Sequence, residues 1–192
     1  MEQSRPWNTF KNMKNKLPLD SLPDRHPGLT KAIGDGYLEA AAVCLSRHHQ
    51  SPTELAVDCQ GNVSECSTEW PSPDRRTERA WANESDATRD GAYAISLAAI
   101  EMVQGLVAVS RAETLTGADY YIAPIGSDPE DLEKCLRLEV SGTDRGDRTA
   151  IEQRLKAKVK QAAAGASNLP AIASVVGFRE RAVAIARVEN VS

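Results

Sequence analysis

The feature that most constrains this chain is a change of hydrophobic period at Gly105. Before it, from Thr88, the residues Ala92, Ile95, Ala99 and Val103, with Ser96 and Ile100 beside them, fall on one face of a helix. Gly105 suits the left-handed turn that ends such a helix. After it the period shortens to two. Residues 106–112 read as a strand, 113–117 as a turn, 118–123 as its hairpin partner, and 135–141 as a third strand after an acidic loop. The third strand alternates cleanly, with Leu136, Leu138 and Val140 on one face and Arg137, Glu139 and Ser141 on the other. Thr149 and Glu152 have the spacing of a capping box for a helix running to about 164, and strands at 171–178 and 182–188 follow, joined by the charged turn 179–181. The order of helix, three strands, helix and two strands predicts an α/β fold.

Upstream, residues 29–48 place Leu29, Ala32, Ile33, Ala40, Val43 and Cys44 near a helical stripe, which Gly34 and Gly36 weaken. Residues 53–59 and 63–70 flank the turn signal Gly61-Asn62 and read as a hairpin, and 74–84 begins a charged helical region. Residues 1–28 carry Pro6, Pro18, Pro23 and Pro27, with Lys11, Lys14 and Lys16, and read as an extended arm. The expected organisation is this arm followed by a single domain over 29–192, with its core at about 88–188 and a helix and hairpin extension before it.

With 192 residues, 41% of them hydrophobic and 26% charged, the chain has the length of about one domain and can bury a core. Its 23 Lys+Arg against 27 Asp+Glu, a net charge of −4, exclude a basic nucleic-acid coat. The longest apolar run, 92–103, is interrupted by Ser96 and Glu101 and falls short of the roughly 20 residues that span a bilayer. The opening MEQSRPWNTFKNMKNK lacks the apolar centre of a secretory signal, so a cytoplasmic protein without membrane contact is expected. Cys44, Cys59, Cys66 and Cys135 are spaced as free thiols and unlike a zinc site. No Gly-rich phosphate loop, G-x-S-x-G elbow or H-E-x-x-H pattern occurs, which sets aside the enzyme classes built on them.

The acids that carry chemistry are Asp119 in the second strand and Glu139 in the third. Adjacent strands lie about 4.8 Å apart, so their carboxylates can converge on a hard divalent cation, the agent that phosphodiester cleavage requires. Asp90 and Glu101, eleven residues apart, share one side of the long helix, as functional acids or as a solvated edge. Tyr120 and Tyr121, two of four tyrosines, either pack in the sheet or stack on unpaired bases. In the helix after Thr149, Arg154, Lys158 and Gln161 flank the stripe Ile151, Leu155, Val159 and Ala162, while Lys156 and Lys160 lie opposite. Lys158 either reaches back toward a metal-bound phosphate or, with Arg154, merely flanks the core with its head in water.

Between about 88 and 188, this order of elements with Asp119 (GADYY) and Glu139 (RLEVSG) resembles the core of the PD-(D/E)XK nuclease superfamily. The resemblance implies a mixed central sheet flanked by helices, with Asp119 and Glu139 binding Mg²⁺ or Mn²⁺ and Glu101, on the preceding helix, supporting the site. The family lysine two residues beyond the third-strand acid is Ser141 here. Some family members carry that lysine on the following helix, so the resemblance extends the catalytic set of Asp119, Glu139 and Ser141 to Lys158. It implies a magnesium-dependent hydrolase or a nuclease-derived subunit acting on nucleic acid in bacterial DNA processing or defence. The alternative is a catalytically inactive nuclease-like scaffold, meeting a protein partner or a second copy through the N-terminal arm and the 70–81 region.

Overall fold

The structure, a computed structural model, describes residues 15–113, 116–164 and 167–188. The first half of the arm, with Lys11 and Lys14, and part of the expected 113–117 turn lie outside the described residues. In chain order the elements are β1 (Asn15–Lys16), α1 (Leu22–Arg25), α2 (Lys31–Ser46), β2 (Thr53–Cys59), β3 (Asn62–Thr68), α3 (Arg75–Ala80) and α4 (Glu84–Gln104). Then come β4 (Leu106–Arg111), β5 (Tyr120–Pro124), β6 (Leu136–Thr143), α5 (Arg148–Ala163), β7 (Ala171–Gly177) and β8 (Ala182–Val188). They build one eight-stranded mixed sheet in the order β1-β3-β2-β8-β7-β6-β5-β4. The class is α/β, as expected, and the change of period at Gly105 is real: the residue caps α4 with φ 65°, its N–H closing on Glu101 O.

Strands β4, β5 and β6 form an antiparallel meander. Helix α5 then crosses over so that β7 lies parallel to β6, a connection that two neighbouring parallel strands require. Alternation along β6 splits the domain into two layers. Leu138 and Val140 join the core under α4, whereas Ala171, Ala173 and Val188 pack with Ala162, Leu155 and Val159 of α5. The stripe read from the sequence of α5 is therefore its buried side. Its cap differs from the expectation: Asp147 accepts from Ala150 N, two residues before the Thr149–Glu152 box, and an Asp at this position satisfies an orphan donor of the first turn.

Helix α4 is buried more widely than its single stripe implies, because α2 covers its outer side. Gly91 is the reason the two helices can touch: a Cβ there would meet Ala41 N at 2.9 Å. Residues 15–28, assigned from their prolines to the arm, are laid into the domain. β1 pairs with β3, and Leu17, Leu19 and Leu22 are fully buried. Gly28 N donates to Ala108 O at 2.9 Å, so the same segment covers the open edge of β4. Trp70, expected on a partner surface, is a core residue whose indole N–H donates to Ser46 Oγ at 2.8 Å. Among the described residues no helix is long and apolar enough to cross a membrane.

The contact that fixes α4 on the sheet is Gly142 of β6, where a Cβ would lie 2.7 Å from Thr88 O and 2.9 Å from Ala92 Cβ. Backbone stands in the way, so relief requires α4 to move. Gly142→Ala is expected to destabilise the protein by about 1–3 kcal/mol, the usual cost of forcing atoms into a packed interface, read as a lower urea midpoint at unchanged slope.

Candidate functional site

A cleft of about 510 Å³ opens where α4 and α5 approach the β5–β6 pair. Its wall includes Arg89 and Tyr93 of α4, Asp119 before β5, the β6 segment from Val140 onward, and Arg154 and Lys158 of α5. The ladder pairs Tyr120 with Leu138, so Asp119 and Glu139 are the next residues beyond that pair. Asp119 N–H donates to Leu138 O at 2.7 Å, and its C=O accepts from Ala112 N. Its side chain then does what a continuing strand would do, with Oδ2 accepting from Val140 N at 2.8 Å. Oδ1 accepts from the Tyr93 hydroxyl at 2.6 Å. Asp119 therefore ties α4, β5 and β6 together at the head of the cleft.

Glu139 points to the other layer and is only 4% exposed. Its Oε1 accepts from Lys158 Nζ at 2.6 Å, while Lys156 and Lys160 of the same helix are exposed. Burial pushes the Glu139 carboxyl above its ordinary value; the negative charge of Asp119 adds to this and the hydrogen bond from Lys158 opposes it. The two acids thus sense each other electrostatically. Arg137, two residues earlier on the same face, is 1% exposed and makes its hydrogen bonds to main-chain carbonyls: Leu169 O, Thr116 O and Ala162 O. By holding the last turn of α5 through Ala162, it fixes the helix one turn beyond Lys158.

Glu101 lies elsewhere. Eight residues separate it from Tyr93, about 12 Å along α4 at 1.5 Å per residue. There it accepts from Arg25 Nε at 2.6 Å and meets His26 Nε2 at 3.2 Å. Because His26 Nδ1 accepts from Ala108 N, its proton sits on Nε2 and is donated to Glu101. Burial pulls the His26 pKa down, and the neighbouring Glu101 opposes this. The pairing of Asp90 with Glu101 along one helix side is geometric only, for Asp90 is held by Arg89. Ser141 lines the cleft. The four cysteines are free and separate, and among the described residues no group of three His, Cys, Asp or Glu side chains could hold a metal.

The donor set nonetheless suits one kind of cation. Magnesium is commonly held by one or two carboxylates, with water and substrate phosphate completing its shell. Asp119 and Glu139 supply hard oxygens, each carboxylate has acceptor capacity beyond the bonds described, and the repulsion between them is the kind a cation relieves.

Two contributors escaped the sequence reading. Tyr93 sits in an alanine-rich apolar run and reads as core; the signal was its hydroxyl, which a buried tyrosine must place on a partner. Burial first, then the charge of Asp119, drives the Tyr93 hydroxyl far above the usual phenol range, so it stays a donor. Arg111, opposite Tyr120 in the β4–β5 register, places its guanidinium 4.6 Å from the Tyr93 ring centre and 4.7 Å from that of Tyr120. Comparison of the chain with protein-family models, with curated proteins and with solved structures finds no match in any of the three.

The raised Glu139 pKa has a definite sign for stability. The folded state holds this proton more tightly than the unfolded chain, so the contribution is fully present below the ordinary carboxylate pKa and is lost as pH rises through the raised value. Glu139→Gln, which mimics the protonated form, should gain stability relative to the wild type between mildly acid and neutral pH. Urea denaturation across that range without divalent cations checks it; a gap independent of pH would show that Glu139 is not strained by its surroundings.

Proposed function

We propose that the chain is a metal-dependent nuclease, or a subunit derived from one, that acts on nucleic acid at the cleft lined by Asp119 and Lys158, the lysine bonded to the buried Glu139. The observation that carries this reading is the placement of Asp119, just before β5, beside Glu139, in the middle of β6, the latter bonded to a lysine that reaches over from α5. The resemblance to the PD-(D/E)XK core anticipates a helix, a three-strand meander, a helix packed across it and further strands, and the elements from α4 to β8 follow that order. A setting in bacterial DNA processing or defence rests on the resemblance alone. The four free thiols suit the cytoplasm.

In this reading Asp119 and Glu139 hold Mg²⁺ or Mn²⁺, which supplies charge stabilisation at the phosphate and a more acidic water. Tyr93 and the Val140 N–H orient the Asp119 carboxylate by occupying one lone pair on each oxygen. Lys158 neutralises the buried Glu139 and presents its ammonium to the cleft, the point charge that the family lysine would supply from the position of Ser141. Arg154, one turn away in the same wall, adds a cation for the phosphate backbone. Ser141 itself favours the second reading, a nuclease-like scaffold without catalysis.

Cleavage of single-stranded and duplex DNA and RNA with Mg²⁺ or Mn²⁺ separates the two. The enzyme reading expects Glu139→Gln to abolish cleavage, and Lys158→Met to lower turnover by about 100-fold or more, the scale of losing one preorganised charge at a transition state. Lys156→Met and Lys160→Met should change it less than about threefold. Equal losses from all three lysines would indicate diffuse binding of a polyanion, and an inactive wild type would favour the scaffold.

A further inference from the structure

A second groove, of about 600 Å³, continues from the cleft and shares Arg89 and Tyr93 with it. Its chemistry is different. Tyr37 and Trp81 line it with Tyr93, and Arg111 lies among them. The ring centres of Tyr37 and Tyr93 are 5.1 Å apart, and Arg111 reaches the Tyr37 hydroxyl at 3.2 Å and the Tyr93 hydroxyl at 3.0 Å. Trp81 is oriented from both ends: its indole N–H donates to Glu39 at 3.2 Å and its carbonyl accepts from Arg47 at 3.3 Å. Gly36 is a neighbour of the ring, and a Cβ there would reach ordinary contact distance, 4.0 Å, of Trp81 Cζ2. Ile33, in the same groove, is 43% exposed despite its size.

We propose that this groove receives unpaired nucleotides of the strand whose phosphate enters the cleft, and thus that the substrate has a single-stranded portion. The proposal rests on the nuclease reading and adds its substrate class. Oriented aromatic rings beside cations are what bind single strands, because every base offers a π-face whereas a duplex hides its bases in the stack. The groove has the volume of a small-ligand site. Its ionised groups, Arg89, Arg111 and Asp90, leave a positive excess, and Arg89 and Arg111 are about half exposed. Continuity with the cleft supplies direction: Tyr93 is a wall of the groove and, through its hydroxyl, a support of Asp119. A strand stacked on Trp81 and Tyr37 would therefore have its next phosphates led toward the two acids.

The test is binding in EDTA, where cleavage cannot interfere. Fluorescein-labelled oligodeoxyuridylate and oligouridylate of about ten nucleotides, which differ only in the sugar, and a blunt DNA hairpin closed by a non-nucleotide linker, so that every base is paired, are titrated with wild type, Trp81→Leu and Ile33→Glu. Ile33 is exposed enough to take a charge without touching the core, and melting curves confirm folding. We expect a single strand to bind more tightly than the hairpin, with about tenfold weaker single-strand binding in each variant, on the order of one lost stacking contact. Hairpin binding should be unchanged. Whichever oligonucleotide binds better identifies the sugar, and either preference supports the proposal. Single-strand affinity unaffected by both substitutions, or no greater than that for the hairpin, overturns it. If instead strand binding depends on Trp81 but no substrate is cleaved with Mg²⁺ or Mn²⁺, the nuclease reading fails while the groove stands.

Discussion

The site depends on where the β5–β6 ladder stops. Side chains alternate along a strand, so slipping this pairing by one residue would exchange the faces of Tyr120 and Asp119 and bury the acid under α4. Two devices hold the register. Tyr120 and Leu138 are both fully buried in the core beneath α4, and the Asp119 carboxylate takes the Val140 N–H that no further strand residue takes. The second device makes the acid part of the fold. An aspartate used as a backbone acceptor is held more rigidly than one on a free loop, as a group that must bind a cation or steer a phosphate has to be.

Glu139 poses the opposite problem, since the fold buries it. A carboxylate taken out of water costs stability unless it is paired. Lys158 resolves this from the neighbouring layer, and Arg137 holds the helix that carries it by bonding to carbonyls on three segments. The lysine's flexible stem is what makes its origin unimportant: only the position of one charge has to be restored, and α5 can restore it as well as β6. A serine at 141 is then compatible with a charged cleft.

Much of this was legible in the sequence because it is periodic. The strict alternation of 136–141 separates Glu139 from Leu138, and the helical wheel of α5 separates Lys158 from Lys156 and Lys160. What could not be read depends on contacts between distant segments. Glu101 shares a helix with the cleft residues, but its partners come from 25–26, a stretch that its prolines disguised as part of an arm. Leu17, Leu19 and Leu22 in that stretch have no period of their own, and their burial follows from a parallel pairing with β3 that local sequence does not encode. Tyr93 and Arg111 are found only once α4, β4 and β5 are superimposed, since a hydroxyl's partner and a guanidinium's ring are tertiary facts.

The central claim is that Asp119 and Glu139 share one divalent cation. Crystals soaked in Mn²⁺ and measured for anomalous scattering test it most directly. The account predicts a single peak in the cleft, within about 2.0–2.6 Å of an oxygen from each carboxylate, and its loss in the Glu139→Gln protein. No peak at these acids at saturating Mn²⁺, or a peak that survives the substitution unchanged, would contradict it.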